Sequence, residues 1–192
     1  IDLILGLPSD KVATPWHYMF LPDEMFIAFQ SARHTDGRLL VNQVEEIIPH
    51  RIEHRIPKIF TPVQVAWAVF ILGLMSLFMP GFSAIFDKTL FTILGIIGLA
   101  ITFMWFFSDH IATAKNLNLL WTLPFHLYFI YRTKKPGQLP GLYFRLIALI
   151  HLLILITWPW NPQEFHNAFL PLIAIAGIKA WTYGWPAKAH RI

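Results

Sequence analysis

The chain has 192 residues, of which 56% are apolar and only 14% charged, where a soluble domain carries roughly a quarter charged. Its net charge of +4 is split unevenly: residues 1–61 hold six Lys/Arg and eight Asp/Glu, while residues 62–192 hold nine and three. The basic excess therefore lies between long apolar runs and forms no stripe interleaved with aromatics, which excludes a nucleic-acid partner. The absence of cysteine excludes disulfides, thiolate metal sites and a cysteine nucleophile among these residues.

The chain opens Ile1-Asp2-Leu3 without Met or a charged leader, so further residues are expected upstream. Ile1 to Leu5, closed by Gly6 and Pro8, reads as a strand entering a turn. Leu21-Pro22-Asp23-Glu24 opens a helix with acids in its first turn, and Met25, Phe26 and Phe29 follow at helical spacing. Arg38 to Ile48 mixes β-branched and polar residues, which predicts one strand before Pro49. Residues 1–61 cannot bury a core alone and read as an incomplete α+β remnant, the C-terminal portion of a water-facing domain.

From Pro62 onward the pattern changes. Apolar runs over 62–79, 88–107, 117–131, 142–158 and 166–183 are long enough, at 1.5 Å per residue, to cross a hydrocarbon layer of ~30 Å once ends and tilt are allowed for. The predicted class is a mainly α membrane protein with about five transmembrane helices. The third run is short and contains Pro124, so it reads as either a kinked span or a re-entrant piece.

With the start of the first span outside, eight Lys/Arg fall on the inner side: Lys88, Arg132, Lys134, Lys135, Arg145, Lys179, Lys188 and Arg191. Lys115, Arg51, Arg55 and Lys58 fall outside. This bias favours an outer, periplasmic N-terminal segment and an inner, cytoplasmic C-terminus; the basic patch Arg51, Arg55 and Lys58 argues the other way, which a large translocated domain can override. Trp105, Trp121, Trp158 and Trp160 then mark the outer interface, and Trp181 and Trp185 the inner one.

The densest polar group is Ser108-Asp109-His110 followed by Asn116 and Asn118, all in one outer loop. An Asp beside a His at a membrane surface can position a general base or a lipid headgroup. The plainer reading is a solvated loop whose Asp and Asn cap the next helix. His126 and His151 lie inside spans at depths ~3 Å apart. Ionisable groups there are functional candidates, and two neutral imidazoles at one level can clasp a haem. The plainer reading has both rings hydrogen-bonded within the bundle. Arg145 and Lys179 read as snorkelling side chains; Gly73, Gly95 and Gly98 read as points of close helix approach. No metal-ligand spacing is present.

Two stretches carry a resemblance. Asp2-Leu3-Ile4-Leu5-Gly6 with Asp10, then Ala13-Thr14-Pro15 and Tyr18-Met19-Phe20-Leu21-Pro22-Asp23, resembles the end of the periplasmic domain of the Lnb family, lipoprotein N-acyltransferases of the Bacteroides type. Ser108 to Thr113 and Asn116 to Trp121, with Pro124 and His126, is similar to the polar loop of that family's five-helix membrane region. The resemblance implies transfer of a fatty acyl chain from a phospholipid to the amine of a lipoprotein's lipidated N-terminal cysteine, at the bacterial inner membrane and without a cofactor. Membrane lipids, the lipoprotein and possible membrane-complex subunits would be the partners. The family implies a cysteine–histidine pair working through an acyl-thioester; this chain has no cysteine, so the nucleophile would lie outside these residues. Asp109, His110, Asn116 and Asn118 match the outer-loop motif, with no catalytic role assigned. The competing readings are a non-catalytic subunit or scaffold of a larger complex, and a haem-binding electron-transfer subunit using His126 and His151.

Overall fold

The computed structural model describes residues 3–12, 14, 21–45, 60–109, 111–132 and 139–185. Its contacts divide the chain into two compact units, one formed by Ile1–Asp10 with Ile59–Ile192 and the other by Lys11–Lys58. The first ten residues thus belong with the helical bundle, although they precede the smaller unit in sequence.

In the smaller unit, α1 (Pro22–Ser31) starts as expected, with Pro at its first position and Asp23 and Glu24 in its first turn. The strand expected from Arg38 to Ile48 is not formed among the described residues. Leu39 makes one isolated bridge to Arg33, across a turn in which Gly37 has φ +84° and Asp36 binds Arg38 at 2.6 Å. That local pairing uses the polar groups a ladder would need, and among the described residues no neighbouring strand extends it. The Arg38 guanidinium also holds the Asp36 carboxyl below its usual range. Leu3 and Ile4 likewise form a turn, followed by a 3₁₀ helix at Leu7–Asp10, where a strand was expected; residues 1, 2 and 46–48 lie outside the described set.

The bundle is built on α2 (Pro62–Ser76), α3 (Pro80–Phe106), α5 (Leu139–Ile156) and α6 (Phe169–Gly184), joined by the single turn α4 (His126–Phe129). Helix α2 begins with a capping box between Thr61 and Gln64, which satisfies orphan amides on both sides of the start. α3 and α5 are long and apolar enough to cross a membrane, and α2 and α6 are shorter apolar helices. Large apolar side chains face outward along α3 and α5, among them Ile93, Ile96, Leu99, Leu146, Leu149 and Leu153, each about half exposed. A water-facing helix does not carry such a surface; a lipid-facing one does. The core between the helices is Phe91, Phe144, Ile147, Ile173, Ala176 and Ala180.

Two expectations about the spans are corrected. The second helix begins at Pro80, not Lys88, because Asp87 does not end it: its carboxylate is buried against Lys179 from α6 at 2.8 Å. The third run is not one helix. A 3₁₀ turn at Leu117–Leu120 and α4 are separated by Pro124, which has no amide to donate. The segment nevertheless crosses the bundle, running antiparallel beside α3. Thr113 bonds the Met104 carbonyl at 3.2 Å, Gly98 faces the Thr122 carbonyl, and Thr92 bonds Tyr131 at 2.8 Å. Tyr183, near the end of α6, bonds the Ile130 carbonyl at 3.3 Å, so the segment reaches the opposite end of the bundle and is an irregular crossing rather than a re-entrant hook. Irregular backbone at that depth is tolerated only where protein surrounds it, and Trp121, Thr122, His126 and Ile130 are all buried.

Candidate functional site

Asn116 and Asn118 are fully buried at the bundle end that holds the start of α2 and the α5–α6 connection. The Asn116 side chain accepts from the Asn118 amide at 2.9 Å, capping the 3₁₀ turn as the plainer reading expected. Both side chains do something the spacing did not reveal. Asn116 Nδ2 donates to the Leu3 carbonyl at 2.9 Å and Asn118 Nδ2 to the same oxygen at 3.3 Å.

Gln163, which sequence reasoning missed, completes this latch. Its Nε2 donates to the Leu5 carbonyl at 3.1 Å and lies 3.3 Å from Asn116 Oδ1, while its Oε1 accepts from the Leu117 amide at 2.7 Å. Gln163 is 2% exposed. The Gly6 amide adds a bond to the Ala112 carbonyl at 2.8 Å, and a Cβ at Gly6 would strike the Ala114 carbonyl. Asp10 Oδ2 accepts from the Glu164 amide at 3.1 Å. Residues 3–10 are thus a strap held through the Leu3 and Leu5 carbonyls, the Gly6 amide and the Asp10 carboxylate. No local signal marked Gln163, since its partners lie far away in sequence.

Asp109 is exposed beside this latch and Ser108 bonds back to Met104; His110 lies outside the described residues. Asp109 is thus exposed, while Asn116 and Asn118 form a buried clamp.

A polar path leads inward from the clamp. Trp121 Nε1 donates to Asn118 Oδ1 at 3.0 Å, and Trp121 is 1% exposed, so it sits in the core rather than in an interfacial belt. Its carbonyl lies 3.3 Å from His126 Nε2, and His126 Nδ1 lies 2.8 Å from the Tyr143 hydroxyl. A carbonyl only accepts, so the neutral His126 ring carries its proton on Nε2 and receives the Tyr143 hydrogen at Nδ1. With both nitrogens engaged, His126 has none left for a haem iron, and the bis-histidine expectation fails on that geometry. His151 donates from Nδ1 to the Ile147 carbonyl at 2.8 Å; its buried Nε2 meets no hydrogen-bond partner among the described residues.

The second unforeseen feature is the buried pair Asp87–Lys179. Lys179 is wholly buried and spends its three hydrogens on Asp87, on Ser76 Oγ at 2.9 Å and on Ser83 Oγ at 2.8 Å. It does not snorkel. The available signal was one acid and one base inside apolar runs, which hydrocarbon tolerates when they meet. Arg145 also turns inward, donating to the Gly184 carbonyl at 3.0 Å with Trp185 4.8 Å from its guanidinium, which closes the C-terminus of α6.

Residues 54–189 match a family model described as the Lnb transmembrane domain. No curated protein and no solved structure matches the chain.

Proposed function

Because the chain belongs to the Lnb transmembrane-domain family, we propose that it is the membrane region of an inner-membrane acyltransferase that N-acylates bacterial lipoproteins. In this reaction a phospholipid ester is broken and an amide forms on the lipoprotein's terminal cysteine. The nucleophile belongs to residues outside this chain, which has no cysteine. The present residues would anchor and place the catalytic domain. Residues 1–61 are then the C-terminal portion of a periplasmic domain, and the Asn116 end of the bundle faces the periplasm.

The observation that carries this reading is the strap clamp. Asn116, Asn118 and Gln163 grip the Leu3 and Leu5 carbonyls, so whatever precedes the strap starts at the rim of the membrane bundle. Acyl donor and acceptor are both membrane lipids by chemistry, and holding a reacting group at that rim converts an encounter in space into one along a surface.

The test is lipoprotein N-acylation in cells carrying the full-length protein with Asn116→Ala and Gln163→Ala. Loss of the two bonds from Asn116 and Gln163 to the strap carbonyls, at about 0.5–1.5 kcal/mol each, should lower N-acylated product roughly tenfold, read by mass spectrometry of the lipoprotein N-terminus at wild-type membrane abundance. Undiminished N-acylation after removal of residues 62–192 would refute the proposal.

A further inference from the structure

At the clamp end of the bundle a cavity of about 360 Å3 opens beside the strap, at the small end of the roughly 300–1,000 Å3 range of ligand pockets. Three chain segments build it: the strap gives Leu5 and Asp10, the first turn of α2 gives Val63, and the α5–α6 connection gives Glu164, Phe165 and His166. The lining combines two carboxylates, the polar Gln163, His166 and Asn167, and three apolar side chains.

Depth fixes what can reach it. The cavity is lined by the first turn of α2 and by the connection between α5 and α6, at the end of the apolar helices. Lipid headgroups, and not water-soluble metabolites alone, concentrate at such ends. No Lys or Arg lines the cavity, so its charge comes from Asp10 and Glu164. Asp10 is fixed in place by the Glu164 amide. His166 accepts the Ala168 amide at Nδ1, 3.1 Å away, so its neutral ring carries the hydrogen on Nε2 and can donate to an anionic oxygen. Leu5, Val63 and Phe165 supply an apolar wall.

Two carboxylates with no cationic side chain beside them, at headgroup depth and next to apolar Leu5, Val63 and Phe165, suit a cation that donates hydrogen bonds and hangs from a lipid stem. A quaternary ammonium is a poor fit: it donates nothing and is held by cages of several aromatic rings, whereas Phe165 is the one aromatic carbocycle here. We infer that this cavity binds the primary ammonium group of a membrane lipid, with Asp10 and Glu164 as its acceptors. Two sources have this chemistry, the headgroup of an ethanolamine phospholipid and the free α-amine of a diacylated lipoprotein. The inference rests on the acyl-transfer reading only for the second source.

The experiment uses the full-length protein in mixed micelles and native mass spectrometry of retained lipid. Dioleoyl-phosphatidylethanolamine should be retained over dioleoyl-phosphatidylcholine by roughly tenfold, the worth of charge-assisted hydrogen bonds. Asp10→Asn with Glu164→Gln should abolish that preference with an unchanged melting temperature, since Asn keeps an acceptor for the Glu164 amide. Equal retention of the two lipids by the wild-type protein, or a preference that survives in the double variant, overturns the inference. A diacylglyceryl-cysteine peptide that displaces the ethanolamine lipid, while its N-acetylated form does not, identifies the amine substrate as the second occupant; failure of both peptides to compete assigns the cavity to the phospholipid alone. The readout is binding, so absent lipoprotein N-acylation would sink the functional proposal and leave this inference standing.

Discussion

Replacing Lys179 by Met should destabilise the bundle by about 3–5 kcal/mol, the usual consequence of removing one member of a buried ion pair. The ammonium is completely enclosed and the Asp87 side chain is 6% exposed. Met matches the length of the Lys stem and preserves most apolar contacts, including that with Phe86, whose ring centre lies 5.7 Å from Nζ. What remains is a buried carboxylate without its counter-charge, and two serine hydroxyls without the ammonium they bound, in surroundings where water cannot replace it. The double variant Asp87→Asn, Lys179→Met removes both charges together and should recover more than half of the loss. Denaturant titration of detergent-solubilised protein, followed by Trp fluorescence, reports both values. A single Lys179→Met variant that unfolds at the wild-type midpoint would show that the pair contributes nothing. The geometry also explains why the pair sits where it does. Ser76 closes α2, Ser83 and Asp87 lie in the first turns of α3, and Lys179 comes from α6, so one ammonium ties three helices at one level. Lipid gives no hydrophobic preference for helix contact over lipid contact, and polar ties and close packing decide which helices meet.

That dependence on tertiary pairing marks how far the sequence could be read. Four apolar helices and the membrane class were legible because hydrocarbon imposes length and polarity on each helix separately. The start of α3 was misplaced by eight residues, because Asp87 and Lys88 look like a loop until Lys179 is brought alongside. The third crossing was legible as a weak span, with Pro124 as the warning. Its true path required knowing that Gly95 and Gly98 present a bare strip of α3 to it. Asn116 was legible as a cap for the turn that follows, because capping is local. Its grip on Leu3 joins residues 113 positions apart, and no periodicity records that. The strand expected at Ile1–Leu5 rested on a short apolar run before Gly6 and Pro8, and that at Arg38–Ile48 on β-branched content, which reports packing against a neighbour more than any preference of the backbone; among the described residues Leu39 has one bridge partner and no sheet. His126 and His151 were legible as unusual, and their hydrogen bonds to Tyr143, Trp121 and Ile147 give both rings a structural place in the bundle.

The glycine strip makes the second large effect calculable in direction. A Cβ at Gly98 would overlap the carbonyl oxygen of Thr122, with the Pro124 nitrogen 3.0 Å away. Both obstacles are main chain, so no side-chain rotation relieves them and the third crossing must move off α3. Overpacking of this kind costs typically 1–3 kcal/mol and occasionally more, and a backbone obstacle places Gly98→Ala at the upper end. The displacement should not stay local. Thr122 is tied to the Asn118 carbonyl through both its amide, at 3.1 Å, and its hydroxyl, at 2.8 Å, and Asn118 in turn holds the Leu3 carbonyl. Gly98→Ala should therefore loosen the strap as well as the core, and hydrogen exchange at the Gly6 amide should rise along with the fall in melting temperature. Gly81 is the matched control: nothing lies within 4 Å of a Cβ built there, and Ala in place of Gly in a helix is neutral to favourable by up to ~1 kcal/mol. If Gly98→Ala and Gly81→Ala melt alike, the irregular crossing does not lie against α3 as described. If Gly98→Ala melts early while the Gly6 amide stays protected, the clamp and the crossing are mechanically separate, and the strap is held by Asn116, Gln163 and Asp10 without help from Asn118.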